Sequence, residues 1–437
     1  MRQKKRMIGG LKTPHYKNTA KSETKVMPVP DKVEIPMVHH IGAPCVPLVK
    51  KGDEVMVGTK IGDSDKFVSA PVHSSVSGTV SDVRQILFPN GSYVDSVVIK
   101  TDGRQTVDPN VKPPDVKTKE DFLKAIRESG LVGLGGAGFP AHVKLNPPKD
   151  KIIDYLLINA AECEPYITSD YRETIENSWN VISGINIVME FLGIENVIIG
   201  VEDNKPTTIK ILNDIADTDK KITAVSLKSK YPQGAEKMLI YALTGRIVPA
   251  GGLPMDVGVI VMNVASVSFV ARYMKTGMPL VSKRLTVDGA VIREPANVEV
   301  CVGTYIRDLV DFCGGFTEDP YKILMGGPMM GVAQYSPDMP VLKQNNAILA
   351  FNREQSILPE QTACIRCGRC VRACPMKLMP QQLDIFGNSS NTAQLEKFNV
   401  MSCIECGSCS YVCPARRHLV QVIRKGKTLV NMSRREK

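Results

Sequence analysis

Cys364-Ile-Arg-Cys-Gly-Arg-Cys-Val-Arg-Ala-Cys-Pro375 and Cys403-Ile-Glu-Cys-Gly-Ser-Cys-Ser-Tyr-Val-Cys-Pro414 repeat one pattern, Cys-x2-Cys-x2-Cys-x3-Cys-Pro. That spacing belongs to a loop holding a [4Fe–4S] cubane. Three thiolates close together wrap three irons of one cubane. The fourth opens a helix that turns away, so it reaches the other cluster. One cluster is therefore expected on Cys364, Cys367, Cys370 and Cys413, and the other on Cys403, Cys406, Cys409 and Cys374. Gly368 and Gly407 let the loop backbone bend close to the sulfides. A pair of zinc sites is the competing reading, but zinc knuckles use two thiolates and a wide gap before the next pair.

Outward from these runs, eight of the twelve cysteines fall within Cys364–Cys413. Such clustering in a chain without an export signal argues for metal rather than disulfides. Cys45, Cys163, Cys301 and Cys313 are scattered and read as small core residues. The insertion Pro375–Ser402 shows helical spacing in Pro380-Gln-Gln-Leu-Asp-Ile-Phe386 and Thr392-Ala-Gln-Leu-Glu-Lys-Phe398. Past the second run, Arg416-Arg417, Arg424-Lys425, Lys427 and Arg434-Arg435 carry much of the net charge of +10. That charge suits solubility, an anionic membrane surface or an acidic partner. No nucleic-acid motif accompanies it. With 437 residues, 43% hydrophobic and 5% aromatic, the composition fits several soluble α/β-type domains. No apolar run approaches the ~18 residues of a membrane span. No apolar segment follows the basic Met1–Met7, so the chain is expected in the cytoplasm.

A second signal lies upstream, Gly133-Leu-Gly-Gly-Ala-Gly-Phe-Pro140. Its glycines let backbone N–H groups approach an anion. No Gly-Lys-Ser/Thr follows, and a helix, Asp121–Gly130, precedes it. It is therefore neither a P-loop nor a dinucleotide fingerprint. Next, Tyr155–Asn159 reads as a buried strand running into Ala160-Ala-Glu-Cys-Glu-Pro165. Helices over Trp179–Gly193, Thr207–Ile215, Gln233–Thr244 and Val264–Met274 alternate with strands over Asn196–Val201, Ile222–Leu227 and Val257–Met262. The alternation predicts a largely parallel sheet covered by helices. Ligands of such sheets collect beyond the strand C-termini, where Asn159, Glu162, Glu164 and Asn263 fall.

Gly-Gly-Ala-Gly-Phe-Pro, Asn-Ala-Ala-Glu-Cys-Glu-Pro and Asn263, in that order, resemble the FMN- and NADH-binding subunit of respiratory complex I. Nearly the whole chain resembles the RnfC family, which belongs to the Rnf complexes, membrane-bound ferredoxin:NAD oxidoreductases. Gly9-Gly-Leu-Lys12, Ile35–Pro44, Val49–Val55 and Ala70–Val80 carry that resemblance at the N-terminal end. The fold implied is multidomain α+β. It comprises a barrel-sandwich hybrid over 1–105, an FMN/NADH-binding α/β domain over 115–278, a β-grasp SLBB domain over 280–350, a helical two-[4Fe–4S] ferredoxin domain over 355–425 and a basic tail over 426–437. In the first domain Lys66 stands where biotin- or lipoate-bearing relatives carry a lysine; the plainer reading is a docking module. In the third, Leu285–Ile292 reads as a hairpin about Asp288-Gly289, and Ile306–Phe312 as its helix.

The resemblance implies residue roles. Gly133, Gly135, Gly136 and Gly138 would hold the FMN phosphate, with Lys144 as counter-charge because Leu134 replaces the family's basic residue. Asn159 and Asn263 would bond the flavin, with Glu162 beside it. Glu164 would stand nearest the hydride path. Gly234 and Glu236 would lie near the dinucleotide, and Phe139 would stack on the nicotinamide. The function implied is electron transfer between NAD(H), non-covalent FMN and two [4Fe–4S] clusters, in a sodium- or proton-translocating complex on the cytoplasmic side of the membrane. Its partners would be an iron–sulfur subunit that accepts electrons from ferredoxin, and integral membrane subunits. A soluble corrinoid-reductase-type enzyme and a flavin-free electron relay are the rival readings.

Overall fold

The computed structural model describes residues 7–216 and 221–435. The basic residues 1–6 and the last two residues of the basic tail lie outside that range. The centre of the chain is a parallel four-stranded sheet in the order Ile222–Leu227, Asn196–Glu202, Tyr155–Ala160, Val259–Asn263. Its strands are near-continuous apolar runs because helices cover both faces. Leu156, Ile158, Val197, Ile199, Ile260 and Met262 are all buried. Helices Ser178–Leu192 and Val264–Thr276 cross where Gly184 meets the backbone of Val267, an approach that leaves no room for a Cβ. Strand order reverses at the first strand, Tyr155–Ala160, whose neighbours are the second and the fourth. That is a topological switch point.

Residues 32–101 form a barrel-sandwich of two small antiparallel sheets. One runs Lys32–Pro36, Tyr93–Thr101, Gly78–Leu87, Glu54–Val55, and the other Val46–Pro47, Lys60–Asp63, Val72–His73. Val33, Ile35, Ile61, Val80, Val97 and Ile99 fill the space between them. Lys66 lies on an exposed turn beside Asp65. The residues before Lys32, expected inside this unit, leave it and form a strap over the other three. Gly10 N–H donates to Ala373 O in the cysteine-rich module. Leu11 bridges Tyr231 of the α/β domain, and Lys25–Val26 adds a parallel strand to Ala296–Cys301 of the third domain.

That third domain has a sheet ordered Lys25–Val26, Ala296–Cys301, Ser282–Asp288, Ala347–Phe351, Lys322–Met325, Val332–Gln334, with the helix Ile306–Phe312 where expected. The hairpin differs from the expectation. Asp288-Gly289 does not turn the chain at once, because the second strand begins only at Ala296. Gly289, at φ +123°, is a glycine because a Cβ there would strike the backbone of Ala350. The cysteine-rich module follows, with helices Pro380–Asn388 and Thr392–Lys397 in its insertion. Most of the expected basic tail is the second half of a helix, Leu419–Arg435. Its Leu419, Ile423 and Val430 are buried, the last two packing with Leu383 and Leu395 of the insertion. No helix among the described residues is long and apolar enough to cross a membrane.

Candidate functional site

The parallel sheet sets Asn159 and Asn263 side by side, in register, at the ends of the two strands flanking the switch point. Asn263 caps the helix Val264–Thr276. Its Oδ1 accepts from Ala265 N–H at 2.9 Å, and its Nδ2 donates to Asp170 Oδ2 at 2.6 Å. Asn159 Nδ2 donates to Gly234 O at 2.8 Å. The glycine loop closes over this edge. Gly133 N–H donates to Phe139 O, and Gly138 N–H to Gly133 O. These bonds leave Gly135, Gly136 and Ala137 as an exposed tip. A Cβ on Gly135 would stand only 3.0 Å from the Asn263 amide. The loop is braced from the barrel-sandwich by Ile41 N–H on Gly138 O, and from beneath by the buried Lys283, which donates to Leu134 O at 3.2 Å. Gly133, Gly135, Gly136, Gly138, Asn159, Gly234 and Asn263 thus converge on one crevice, with Phe139 half-buried on its rim.

Lys144 and Glu236, expected on the phosphate and the dinucleotide, are paired with each other at 2.8 Å. Each is partly exposed, and the Lys144 ammonium is engaged with the Glu236 carboxylate.

The segment after Asn159 carries the two glutamates, and two lysines absent from the expected set hold it. Lys17 Nζ donates to Glu162 O at 2.9 Å, Glu164 O at 2.8 Å and Ile167 O at 2.5 Å. Lys205 Nζ donates to Ala161 O at 2.7 Å. Four carbonyls of one loop are thereby drawn to one side. Burial lowers Lys17 to about 8, partly offset by Glu162. Glu162 takes φ +49° and accepts from Asp170 N–H at 2.7 Å, capping the helix Ser169–Glu176. Its other oxygen lacks a hydrogen-bond donor and faces the Lys17 ammonium at 4.0 Å. Burial raises both Glu162 and Asp170, and the nearby charge of Glu162 adds to the rise of Asp170.

Glu164 makes its contact in the third domain. Its Oε2 accepts from Met329 N–H at 3.0 Å in the Gly326–Gly331 loop of the third domain. Gly327 is a glycine because a Cβ would strike this carboxyl. Its Oε1 is buried without a partner, and burial pushes the group up to about 7. Glu164 therefore sits at the seam between the crevice and the cysteine-rich module. Met329 packs there with Cys163, Tyr231 and Cys406, and Tyr231 Oη donates to Cys406 O at 2.6 Å.

Four of the eight cysteines come together in one pocket. Cys374, Cys403, Cys406 and Cys409 line one pocket, with Leu378, Val420 and Ile423 as its apolar wall. Cys413 packs in a cluster that holds both Cys370 and Cys409, and Cys364 and Cys367 are exposed. Burial and neighbouring thiols raise Cys403 to about 11, so this thiol stays protonated until a metal displaces the proton. Four soft sulfur donors per group suit iron–sulfur clusters. Burial without disulfides holds for Cys45 and Cys313, as expected. Cys163 and Cys301 are only half-buried, and Cys163 accepts from Gly234 N–H at 3.4 Å beside the crevice.

Residues 5–104 match the RnfC barrel sandwich hybrid domain. Over 93% of its length the chain is 47% identical to a component of the proton-translocating ferredoxin:NAD(+) oxidoreductase complex of Clostridium ljungdahlii, covering 90% of that protein. The chain belongs to the RnfC family. It is also 44% identical, over 98% of both chains, to an RnfC-family component of the Na(+)-translocating ferredoxin:NAD(+) oxidoreductase complex of Acetobacterium woodii. A third RnfC relative, from an ion-translocating oxidoreductase complex of Rhodobacter capsulatus, is 37% identical over 86% of this chain and 74% of its own. Residues 126–272 match the Nuo51 FMN-binding domain, 284–333 the SLBB domain and 363–416 the 4Fe-4S dicluster domain. FMN and two [4Fe–4S] clusters are the cofactors of the domains that make up this RnfC chain, and the crevice and the eight thiols fit them. A chain of an NAD+-reducing [NiFe]-hydrogenase aligns at 17% identity and a TM-score of 0.48, over 70% of this chain and 62% of its own.

Proposed function

We propose that the chain is the NAD(H)-reacting subunit of a ferredoxin:NAD+ oxidoreductase complex that moves Na+ or H+. On this reading it is a peripheral subunit of a membrane-bound complex and lies on its cytoplasmic side. The other subunits of the complex, NAD(H) and, through them, ferredoxin are its partners. FMN supplies the exchange between a hydride pair and single electrons, and the clusters carry the single electrons.

The chain's own residues supply position and charge. The Gly133–Gly138 tip offers backbone N–H groups to the FMN phosphate, and Asn159 and Asn263 fix the crevice floor. The lysine pair, Lys17 and Lys205, fixes four carbonyls of the Ala161–Ile167 loop. Glu164 sets the charge at its inner end. Cys364, Cys367, Cys370 and Cys413 would hold one cluster, and Cys374, Cys403, Cys406 and Cys409 the other. The observation that carries the reading is the direct seam between the two sites, with Tyr231 donating to the carbonyl of a cluster cysteine while Glu164 and Met329 join the flavin and third domains. A flavin-free relay would have no use for an open glycine tip beside two strand-end asparagines.

Anaerobic reconstitution tests the proposal. One FMN, about eight iron and about eight sulfide per chain are expected, with NADH bleaching the flavin band. FAD instead of FMN, two zinc ions per chain, or a flavin untouched by NADH would refute it.

A further inference from the structure

The third domain reaches under the glycine loop with two buried lysines. Lys283 lies on the strand Ser282–Asp288 and is 4% exposed. Its Nζ donates to Leu134 O at 3.2 Å. Lys343, 1% exposed, donates to Gly130 O at 2.9 Å and to Pro71 O at 2.7 Å, which fixes the chain just before the loop. A buried ammonium is costly unless it is paired, and no carboxylate pairs with Lys283 among the described residues.

The carboxyls that act on Lys283 are engaged elsewhere. Asp170, on the helix Ser169–Glu176, accepts from Asn263 Nδ2 at 2.6 Å. Glu173 of the same helix accepts from Arg284 and Ser268. Glu299, on the strand Ala296–Cys301, accepts from Ser282 Oγ. Arg272, on the helix Val264–Thr276, adds a like charge. Lys283 is left with one backbone carbonyl as its partner.

That carbonyl belongs to the loop tip. In a trans peptide the C=O and the following N–H point in opposite directions. With Leu134 O drawn inward to Lys283, Gly135 N–H is turned outward, and it has no protein partner among the described residues. Leu134 N–H is spent on Ser266 Oγ at 2.9 Å, so the residue is pinned on both sides. The Leu134 side chain is apolar and buried, and Lys144 is paired with Glu236 at 2.8 Å. Neither leaves a free cation for a phosphate.

We propose that Lys283 supplies the positive charge that holds the FMN phosphate on the glycine loop, acting through the Leu134–Gly135 peptide. It is a positioning residue: it aims Gly135 N–H outward and sets an ammonium behind it. The phosphate is what distinguishes FMN from riboflavin, so selectivity for FMN becomes a property of the third domain as well as of the loop. This rests on the reading of Gly133–Gly138 as the phosphate loop.

The test uses the full chain with both clusters loaded and its flavin removed, titrated anaerobically with FMN and with riboflavin. Flavin fluorescence reads both dissociation constants. Lys283→Met keeps most of the side-chain volume and removes the ammonium, and Lys283→Gln is the second variant. Iron content and thermal melts establish that each is folded. FMN affinity is expected to fall by about tenfold or more, while riboflavin affinity stays within about twofold of wild type. A lysine with a merely structural role would weaken both flavins alike, and that result would overturn the proposal. An FMN preference retained in either folded variant would also overturn it. If neither variant folds, the pH profile of wild type decides. Burial holds Lys283 at about 8, against the pull of Asp170, Glu299 and Glu173. A nearby phosphate raises it, so above that pH FMN binding takes up a proton and riboflavin binding does not. The ratio of FMN to riboflavin affinity should therefore fall as pH rises above 8. Lys343, held at about 7, is already mostly neutral there. A flat ratio would overturn the proposal. A wild type that binds riboflavin as tightly as FMN would refute the phosphate loop itself, whereas a strong FMN preference untouched by the Lys283 variants would refute only the lysine's part.

Discussion

Replacing Glu164 with Gln separates charge from shape at the seam between the flavin crevice and the clusters. The carboxyl is held by Met329 N–H on one oxygen and has no partner on the other, and burial lifts it from 4.5 to about 7. A shift of that size corresponds to about 3 kcal/mol in favour of the neutral form. The folded chain binds this proton between pH 4.5 and 7 while the unfolded chain does not. The stability contribution is therefore complete below 4.5 and lost as pH rises through 7. Gln imitates the protonated carboxyl. At pH 6 wild type and Glu164→Gln should thus behave alike, within about twofold in flavin reduction by saturating NADH, because the residual barrier difference is below ~0.5 kcal/mol. At pH 8 wild type carries the charge, and the variant should be slower by roughly tenfold, about 1.4 kcal/mol in the barrier. The variant should also melt higher than wild type at pH 8, and less so at pH 6. Anaerobic stopped-flow at the flavin band and thermal melts at both pH values check this, with FMN and iron content confirmed first. A rate ratio that is the same at both pH values would show that the charge is not the operative feature. Equal rates throughout would remove Glu164 from the site.

Three further outcomes are expected. Cys413→Ala should abolish the EPR signal of the cluster on Cys364, Cys367 and Cys370 and spare that of its sequence neighbours, as the crossed spacing of the two runs implies; loss of the other cluster instead would reverse the assignment. Lys17→Met should weaken FMN binding at least tenfold with both clusters retained, as three charge-assisted hydrogen bonds worth roughly 1.5–3 kcal/mol each hold the Glu162–Ile167 loop. Because burial holds Lys17 at about 8, wild type should also gain stability relative to this variant as pH climbs from about 8 to 10.5, read by parallel melts; unchanged FMN affinity would show that the loop keeps its shape unaided. Tyr231→Phe removes the donor on Cys406 O, and should lower the midpoint potential of one cluster in an EPR redox titration while the other stays fixed. Equal shifts in both clusters would argue against a contact with one cluster alone.

The parts legible in the sequence were those whose chemistry is local. Each cysteine run is one loop and one helix start, so spacing alone separates iron–sulfur from zinc. Asn159 and Asn263 end apolar strands, and a parallel sheet brings such ends together whatever the intervening chain does. The helix Ile306–Phe312 needed only its own periodicity. Features set by distant chain were not legible. Lys17 acts on a loop 145–150 residues away, and nothing in its neighbours marks a buried ammonium. The only signal was an N-terminal stretch without strand alternation, which belonged to no sheet of its domain. Lys144 and Glu236 each looked like a ligand group, and their pairing across 92 residues could not be seen in either neighbourhood. Asp288-Gly289 resembled a tight turn because its true constraint, the close approach of Ala350, lies in another strand.

The strap before Lys32 has a consequence for how the chain is made. Gly10 waits for Ala373, about 360 residues later in synthesis, a delay of about 18–70 s at ~5–20 residues per second. Lys17 meets its carbonyls after about 150 residues and Lys25–Val26 its strand after about 270, so the flavin loop and the third sheet gain these supports one at a time, before the strap's first anchor exists. The strap seats against the helix ending at Ala373, whose neighbour Cys374 lines the pocket with Cys403, Cys406 and Cys409. The strap is complete only when the cysteine-rich module arrives, so the first anchor in sequence is the last to be seated in the newborn chain.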